Sequence, residues 1–193
     1  NGSRCIAYYT ANRDITGDKL SIETKAGILH AIVRKNMVKI KMTQPKYFKR
    51  AVSVMMGHTQ VALSFINTGV PHAVCIVRNL HNIDVKKIGR YVRRHKLFAP
   101  EGTNVDFVKI YGGHAISIRT YERGVEDETF ACGTGSVAGA IIASEMKNVR
   151  PPVKVRTFGG DMLRVYFRRE GDIYKDVYLA GEVKLVFDGE LKL

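Results

Sequence analysis

A block of sequence occurs twice in this chain at a constant offset, and no other feature limits the fold as tightly. Asn1-Gly2-Ser3 lies over Thr134-Gly135-Ser136, an offset of 133 residues, and the same offset pairs Ala7 with Ala140, Ile22 with Val155, Thr24 with Thr157, Gly27 with Gly160, Leu29 with Met162 and Ile32 with Val165. Each copy reads as a small-residue helix start, a strand, a T-x-x-G turn and a return strand. Matches at Gly, Ser and Ala arise readily by chance. Matching order, element type and spacing together indicate a duplicated unit. The offset also lays Cys132-Gly133 over the two positions immediately before Asn1, so the repeat predicts a Cys-Gly there.

Apolar periodicity fills in the elements. Ser3 to Ala11 and Asp84 to His95 read as helices, the second with Val85, Ile88 and Val92 on one side. Strands are expected over Leu20 to Thr24, Leu29 to Val33, Val38 to Met42, Gln60 to Ile66, Ala73 to Val77, Asn104 to Tyr111 and Ala115 to Arg119. Four more are expected over Val153 to Thr157, Met162 to Arg168, Tyr174 to Leu179 and Val183 to Phe187, with turns at Ala26-Gly27 and Lys35-Asn36. Gly135 to Lys147, closed by Asn148 and Pro151-Pro152, is apolar nearly all round, the mark of a buried helix. A mostly β chain with one fully apolar helix implies a sheet wrapped around that helix.

Composition excludes some classes. Hydrophobic residues at 45% and charged residues at 25% are ordinary for a soluble globular protein. No apolar run approaches the ~18 residues of a membrane helix, and no charged start precedes an apolar core. Cys5, Cys75 and Cys132 are few and far apart, which fits a reducing cytoplasm better than a disulfide framework. Without CxxC, HExxH or a close His/Cys pair, no metal site is expected. The formal charge of +13 admits nucleic-acid binding, but the basic residues are scattered and lack an interleaved aromatic platform. A Lys/Arg-rich solvated surface accounts for them as well.

The chemistry gathers in Thr129-Phe130-Ala131-Cys132-Gly133-Thr134-Gly135-Ser136, which puts a thiol at the mouth of the apolar helix. The first N–H groups of a helix lack internal partners and face anions, aided by the macrodipole. They can dock a carboxylate, and they are expected to lower the pKa of the thiol. The alternative is that Cys132 is a small buried packing residue, as free cysteine often is. The same two-sidedness holds for Asn104, His72 and the Glu122-Arg123 pair, which by themselves could be a turn residue, a structural histidine and a surface ion pair.

Several motifs in order resemble the diaminopimelate epimerase family, a cofactor-independent group of two-cysteine epimerases. Ala131-Cys132-Gly133-Thr134-Gly135 is similar to its second cysteine motif, and Asn1-Gly2-Ser3-Arg4-Cys5 to the tail of its first, C-G-N-G-x-R-C. Asn67 to His72, Pro100 to Phe107, Thr120 to Gly124, Gly159 to Leu163 and Gly181 to Glu190 follow in family order, so the resemblance covers essentially the whole chain. It implies an α+β fold of two pseudo-repeated domains, each a curved, mostly antiparallel, barrel-like sheet around a central helix. On this chain the domains would be residues 1–45, as the remainder of an N-terminal domain, and 46–180, with 181–193 as a closing strand returning to the first.

The resemblance also implies interconversion of LL- and meso-diaminopimelate without pyridoxal phosphate or any other cofactor. Cys132 takes the proton-acceptor role, opposed by a cysteine from before Asn1. His72 and Glu122 tune the cysteine pKa values. Asn1, Gly2, Asn104, Glu122, Arg123, Gly133 and Thr134 bind a diamino-dicarboxylate substrate. Arg123 suits a planar carboxylate. The sequence departs from the family at Val70, where many members carry Asn, and Asn67 or Thr68 is expected to substitute. Cys5 and Cys75 read as packing. The segment before Asn1, whether or not it is a separate chain, is expected to carry the first cysteine, so residues 1–193 alone are expected to be inactive. A homodimer fits the family's habit; membrane and nucleic-acid partners are not expected. The remaining alternatives are another amino-acid racemase of the same fold, or a non-catalytic basic nucleic-acid-binding protein on the same scaffold.

Overall fold

The computed structural model describes residues 1–25, 27–147 and 149–190. The expected turn residue Ala26, the expected helix stop Asn148 and the last three residues of the expected closing segment therefore lie outside the described residues. Three α-helices, α1 (Gly2–Asn12), α2 (Val85–Arg93) and α3 (Gly133–Lys147), accompany twelve strands. The strands are β1 (Lys19–Thr24), β2 (Gly27–Arg34), β3 (Met37–Lys41), β4 (Lys46–Met56), β5 (Thr59–Asn67) and β6 (Pro71–Ile76), followed by β7 (Asn104–Gly112), β8 (Ala115–Glu122), β9 (Asp127–Thr129), β10 (Val153–Arg156), β11 (Met162–Glu170) and β12 (Ile173–Glu182).

The duplication is visible in the element order. Helix α1 is followed by β1, β2 and β3, and α3 by β10, β11 and β12. The strands form one curved sheet in the order β1-β2-β3-β12-β11-β10-β8-β7-β6-β5-β4, with β9 on the flank of β8. The two units thus meet along their third strands, Lys41 opposite Tyr178 and Val38 opposite Gly181 in an antiparallel ladder. Adjacency of equivalent edges sets the two helix starts near one another, and it joins what would otherwise be two sheets.

Burial follows the apolar pattern. Helix α3 is enclosed: Val137, Ala138, Ala140, Ile141, Ile142 and Ala143 are fully buried against Ile66, Val74, Val108, Ile116, Ile118, Val155, Leu163 and Val165 from six strands. The opposite face of β5–β8 packs on α2, through Cys75, Val105, Phe107 and Tyr121 against Val85 and Val92. Strands β6 and β7 are buried on both faces, which is why Ala73 to Ile76 reads as a continuous apolar run. Helix α1 packs its apolar face mainly on β1–β3, through Ala7. No described helix is long and apolar enough to cross a membrane.

Two expectations about strands change. Residues 183–190 form no strand, and Leu185, Val186 and Phe187 are exposed. Their apolar content suggested a ladder position, but both edges of β12 are already taken by β11 and β3, so nothing remains beside it to pair with. Conversely β4 was hidden by Lys46, Lys49 and Arg50. It is the outermost strand of the sheet, where charged side chains are ordinary and guard the edge.

The far end of α3 is held by charge. Glu145, whose side chain is almost fully buried, accepts a hydrogen bond from Tyr174 Oη at 2.7 Å and forms ion pairs with Arg169, at 2.9 Å from Nη1, and with Arg50. Burial, and then the Glu145 carboxylate, push the Tyr174 phenol above its usual range. A group whose folded pKa is raised contributes stability below its free value, about 10 for tyrosine, and loses it as pH climbs toward the raised value. Thermal midpoints should therefore hold below about pH 10 and fall above it. Tyr174→Phe should flatten that alkaline slope; an identical slope in both proteins would remove Tyr174 as its source.

Candidate active site

Cys132 is the residue just before α3, and its backbone carbonyl receives the Ser136 N–H at 2.9 Å and the Ser136 hydroxyl at 2.8 Å. Its thiol sits where an N-cap oxygen usually does and accepts the Gly135 N–H. The side chain is only 7% exposed, yet it lines a cleft of about 520 Å³ between the starts of the two duplicated helices. Asn1, Ser3 and Arg4 form one wall, Ala131 to Thr134 the other, and Thr68, Val70 and Glu122 close the rim. A larger hollow of about 990 Å³ lies between β4 and α2, lined by Lys87, Arg90, Arg94 and Lys96. It holds His95 and Tyr91 but neither thiol nor carboxylate, whereas the smaller cleft holds both.

The expected lowering of the cysteine pKa is not what this environment produces. Burial first, and the Asp106 carboxylate second, push the Cys132 thiol up to about 12. The Thr134 hydroxyl and Gly135 N–H pull the other way and are outweighed, while Glu122 adds to the rise. The helix start does favour the thiolate, but two carboxylates and loss of water oppose it. Cys75, buried among apolar side chains beneath α2, is likewise pushed up to about 12 and has no access to the cleft.

Behind Thr134 lies a buried polar chain. The Thr134 hydroxyl is 3.5 Å from Cys132 Sγ and 3.0 Å from His72 Nε2. His72 Nδ1 is 2.7 Å from Asp106 Oδ2, with both side chains fully buried, and Asp106 Oδ1 accepts from the Thr120 hydroxyl at 2.7 Å. Thr68 Oγ1 donates to the Thr134 carbonyl at 3.1 Å, tying the β5–β6 turn to the helix start.

The other expected site residues divide. Asn1, Glu122, Gly133, Thr134 and Thr68 line the cleft, and His72 stands behind it. Gly2 is exposed at the first position of α1. Asn104 spends both ends of its amide on backbone, donating to Pro71 O at 3.0 Å and accepting from Arg123 N–H at 2.8 Å. It braces β6 and the turn after β8. The Arg123 guanidinium is turned to Glu101, 3.4 Å from its carbonyl and 3.6 Å from its carboxylate. Asn67 Oδ1 accepts the Gly69 N–H at 2.9 Å and shapes the turn from outside the cleft.

Two groups escaped the sequence reading, one lining the cleft and one buried behind it. Arg4 is buried, donates to Asn1 Oδ1 at 2.6 Å, and leaves Nη1 without a partner among the described residues. A Cβ at Gly181 would stand 1.8 Å from that nitrogen, so glycine there makes room for the guanidinium. Asp106 is the other. Its sequence signal was a lone acid between Val105 and Phe107 in a strand covered on both faces.

Comparison with known proteins agrees with this geometry. A family profile described as "Diaminopimelate epimerase" matches residues 64–186. The chain is 42% identical to "Diaminopimelate epimerase" from Aquifex aeolicus, over 99% of this chain and 68% of that protein. It is 37% identical to the protein of the same name from Archaeoglobus fulgidus, over 100% of this chain and 70% of the relative. Among solved structures, a hydroxyproline epimerase from Agrobacterium vitis superposes with a TM-score of 0.71 at 17% identity, over 94% of this chain and 62% of its own, a likeness of fold.

Proposed function

Since this chain belongs to the diaminopimelate epimerase family, we propose that it inverts the α-carbon of 2,6-diaminopimelate, exchanging the LL and meso forms. We further propose that Cys132 is one of two acid–base groups. The observation that carries the reading is the placement of Cys132 at the start of one duplicated helix, across a cleft from the start of the other.

The chemistry follows from that placement. The α-proton of an amino acid is a very weak acid, so the developing carbanion needs fixed dipoles in a dry site. Gly133 and Thr134 line the cleft at the start of α3, where unpartnered helix N–H groups suit an α-carboxylate. The Cys132 thiolate takes the α-proton, breaking C–H and forming S–H. Inversion then requires a proton from the opposite face. The duplication supports a donor at the start of α1, where the offset predicts a cysteine outside residues 1–193. Glu122 on the rim suits the distal ammonium group. Arg123 would have to leave Glu101 to reach a distal carboxylate.

The test is inversion of LL-diaminopimelate followed in D2O. Residues 1–193 alone should give none. The gene product read through the coding sequence upstream of Asn1 should invert diaminopimelate and leave proline, which has no second charged end, untouched. Inversion by residues 1–193 would refute the external donor. Failure of the longer product on diaminopimelate would refute the function.

A further inference from the structure

The buried chain behind Thr134 has a direction, and that direction is informative. With Asp106 as a carboxylate between the Thr120 hydroxyl and His72 Nδ1, the ring proton is on Nδ1 and Nε2 is the acceptor. Nε2 then receives the Thr134 O–H, which leaves a Thr134 lone pair facing the Cys132 S–H. From Cys132 to Asp106 every donor points away from the sulfur, and Thr120 closes the far end by donating to Asp106. The geometry points to a proton relay in which the Thr134 hydroxyl passes the Cys132 proton to His72 Nε2, with Asp106 as the positioning residue that holds the imidazole and stabilises its charged form.

The step balances. The S–H bond breaks as an O–H bond forms on Thr134, and the original Thr134 O–H breaks as N–H forms on His72. The products are a thiolate at the cleft and an imidazolium against Asp106, with no proton gained or lost. This answers the problem set by burial: a thiol in a dry site between two carboxylates is costly to ionise into solvent, but less so when its proton moves to a paired histidine. It also explains why a histidine–carboxylate pair is kept fully buried behind the cleft, where apolar side chains would pack as well. The inference rests on the reading of Cys132 as a base and assigns new roles to the Thr134 hydroxyl and to Asp106.

The experiment is the rate of Cys132 alkylation by iodoacetamide in the 193-residue chain near neutral pH, read peptide by peptide by mass spectrometry so that Cys5 and Cys75 stay in place. It needs no diaminopimelate, so it can fail while the proposed activity stands, and the reverse. Thr134→Ser, which keeps the hydroxyl, should react within about threefold of the parent, whereas the isosteric Thr134→Val should be slower by about tenfold or more. Asp106→Asn should also be slower. If Asp106 acted only through its charge, which opposes the thiolate, Asp106→Asn would instead react faster. Faster alkylation in Asp106→Asn, or an unchanged rate in Thr134→Val, overturns the relay. Should Asp106→Asn fail to fold, the Thr134 pair decides by itself.

Discussion

Cys132→Ala is expected to reduce inversion of diaminopimelate by the upstream-extended gene product on the order of a thousandfold, the scale on which a positioned base contributes. The loss should be catalytic and not structural. Alanine removes the sulfur that caps the Gly135 N–H, at a cost of about 1 kcal/mol. It leaves the buried Ser136 contacts with the Cys132 carbonyl intact. Cys132→Ser separates the two effects. A serine oxygen is a better cap than sulfur, so stability should return, but a serine hydroxyl is a far weaker acid than a thiol and should not restore the rate. The measurement is initial inversion velocity and thermal midpoint for the parent, the alanine and the serine proteins. If Cys132→Ser kept a tenth of the parental velocity, Cys132 would not be the base.

The environment of Cys132 explains why the site was only half legible in the sequence. Its position at a helix start was plain from Ala131-Cys132-Gly133-Thr134-Gly135, and the duplication located the opposing helix start. The sign of its pKa shift was not plain, because it depends first on burial and then on Asp106, twenty-six residues earlier in the chain. Asp106 faces α3 only because β7 is covered on both faces, with Val105 and Phe107 turned to α2. Period-two alternation cannot show which face of such a strand an acid occupies. Asn104 and Arg123 show a different limit. Their residue types matched a binding role, yet the first is spent on backbone and the second on Glu101. Residue type reports what a side chain can bond, while burial and neighbours decide what it does bond.

Gly135→Ala should carry the larger structural penalty, and against the usual trend. Placing alanine for glycine in a helix ordinarily stabilises by up to about 1 kcal/mol. Here the added Cβ would stand 2.5 Å from Asp106 Oδ1 and 3.3 Å from Cys132 Cβ. Asp106 cannot yield, because one oxygen is held by Thr120 and the other by His72 with no solvent nearby. Displacing it breaks two buried hydrogen bonds, so a net loss of about 2–3 kcal/mol is expected in urea denaturation. Gly2, the equivalent glycine of the first copy, would direct its Cβ into open space, so Gly2→Ala should leave stability within about 0.5 kcal/mol of the parent. The double variant Gly135→Ala/Asp106→Ala removes the obstacle, and its loss should be smaller than the sum of the two single losses, the sign of a direct clash. Strict additivity, or a stabilised Gly135→Ala protein, would mean that the carboxylate is not seated against the start of α3, and the buried chain from Asp106 to Cys132 would lose its anchor.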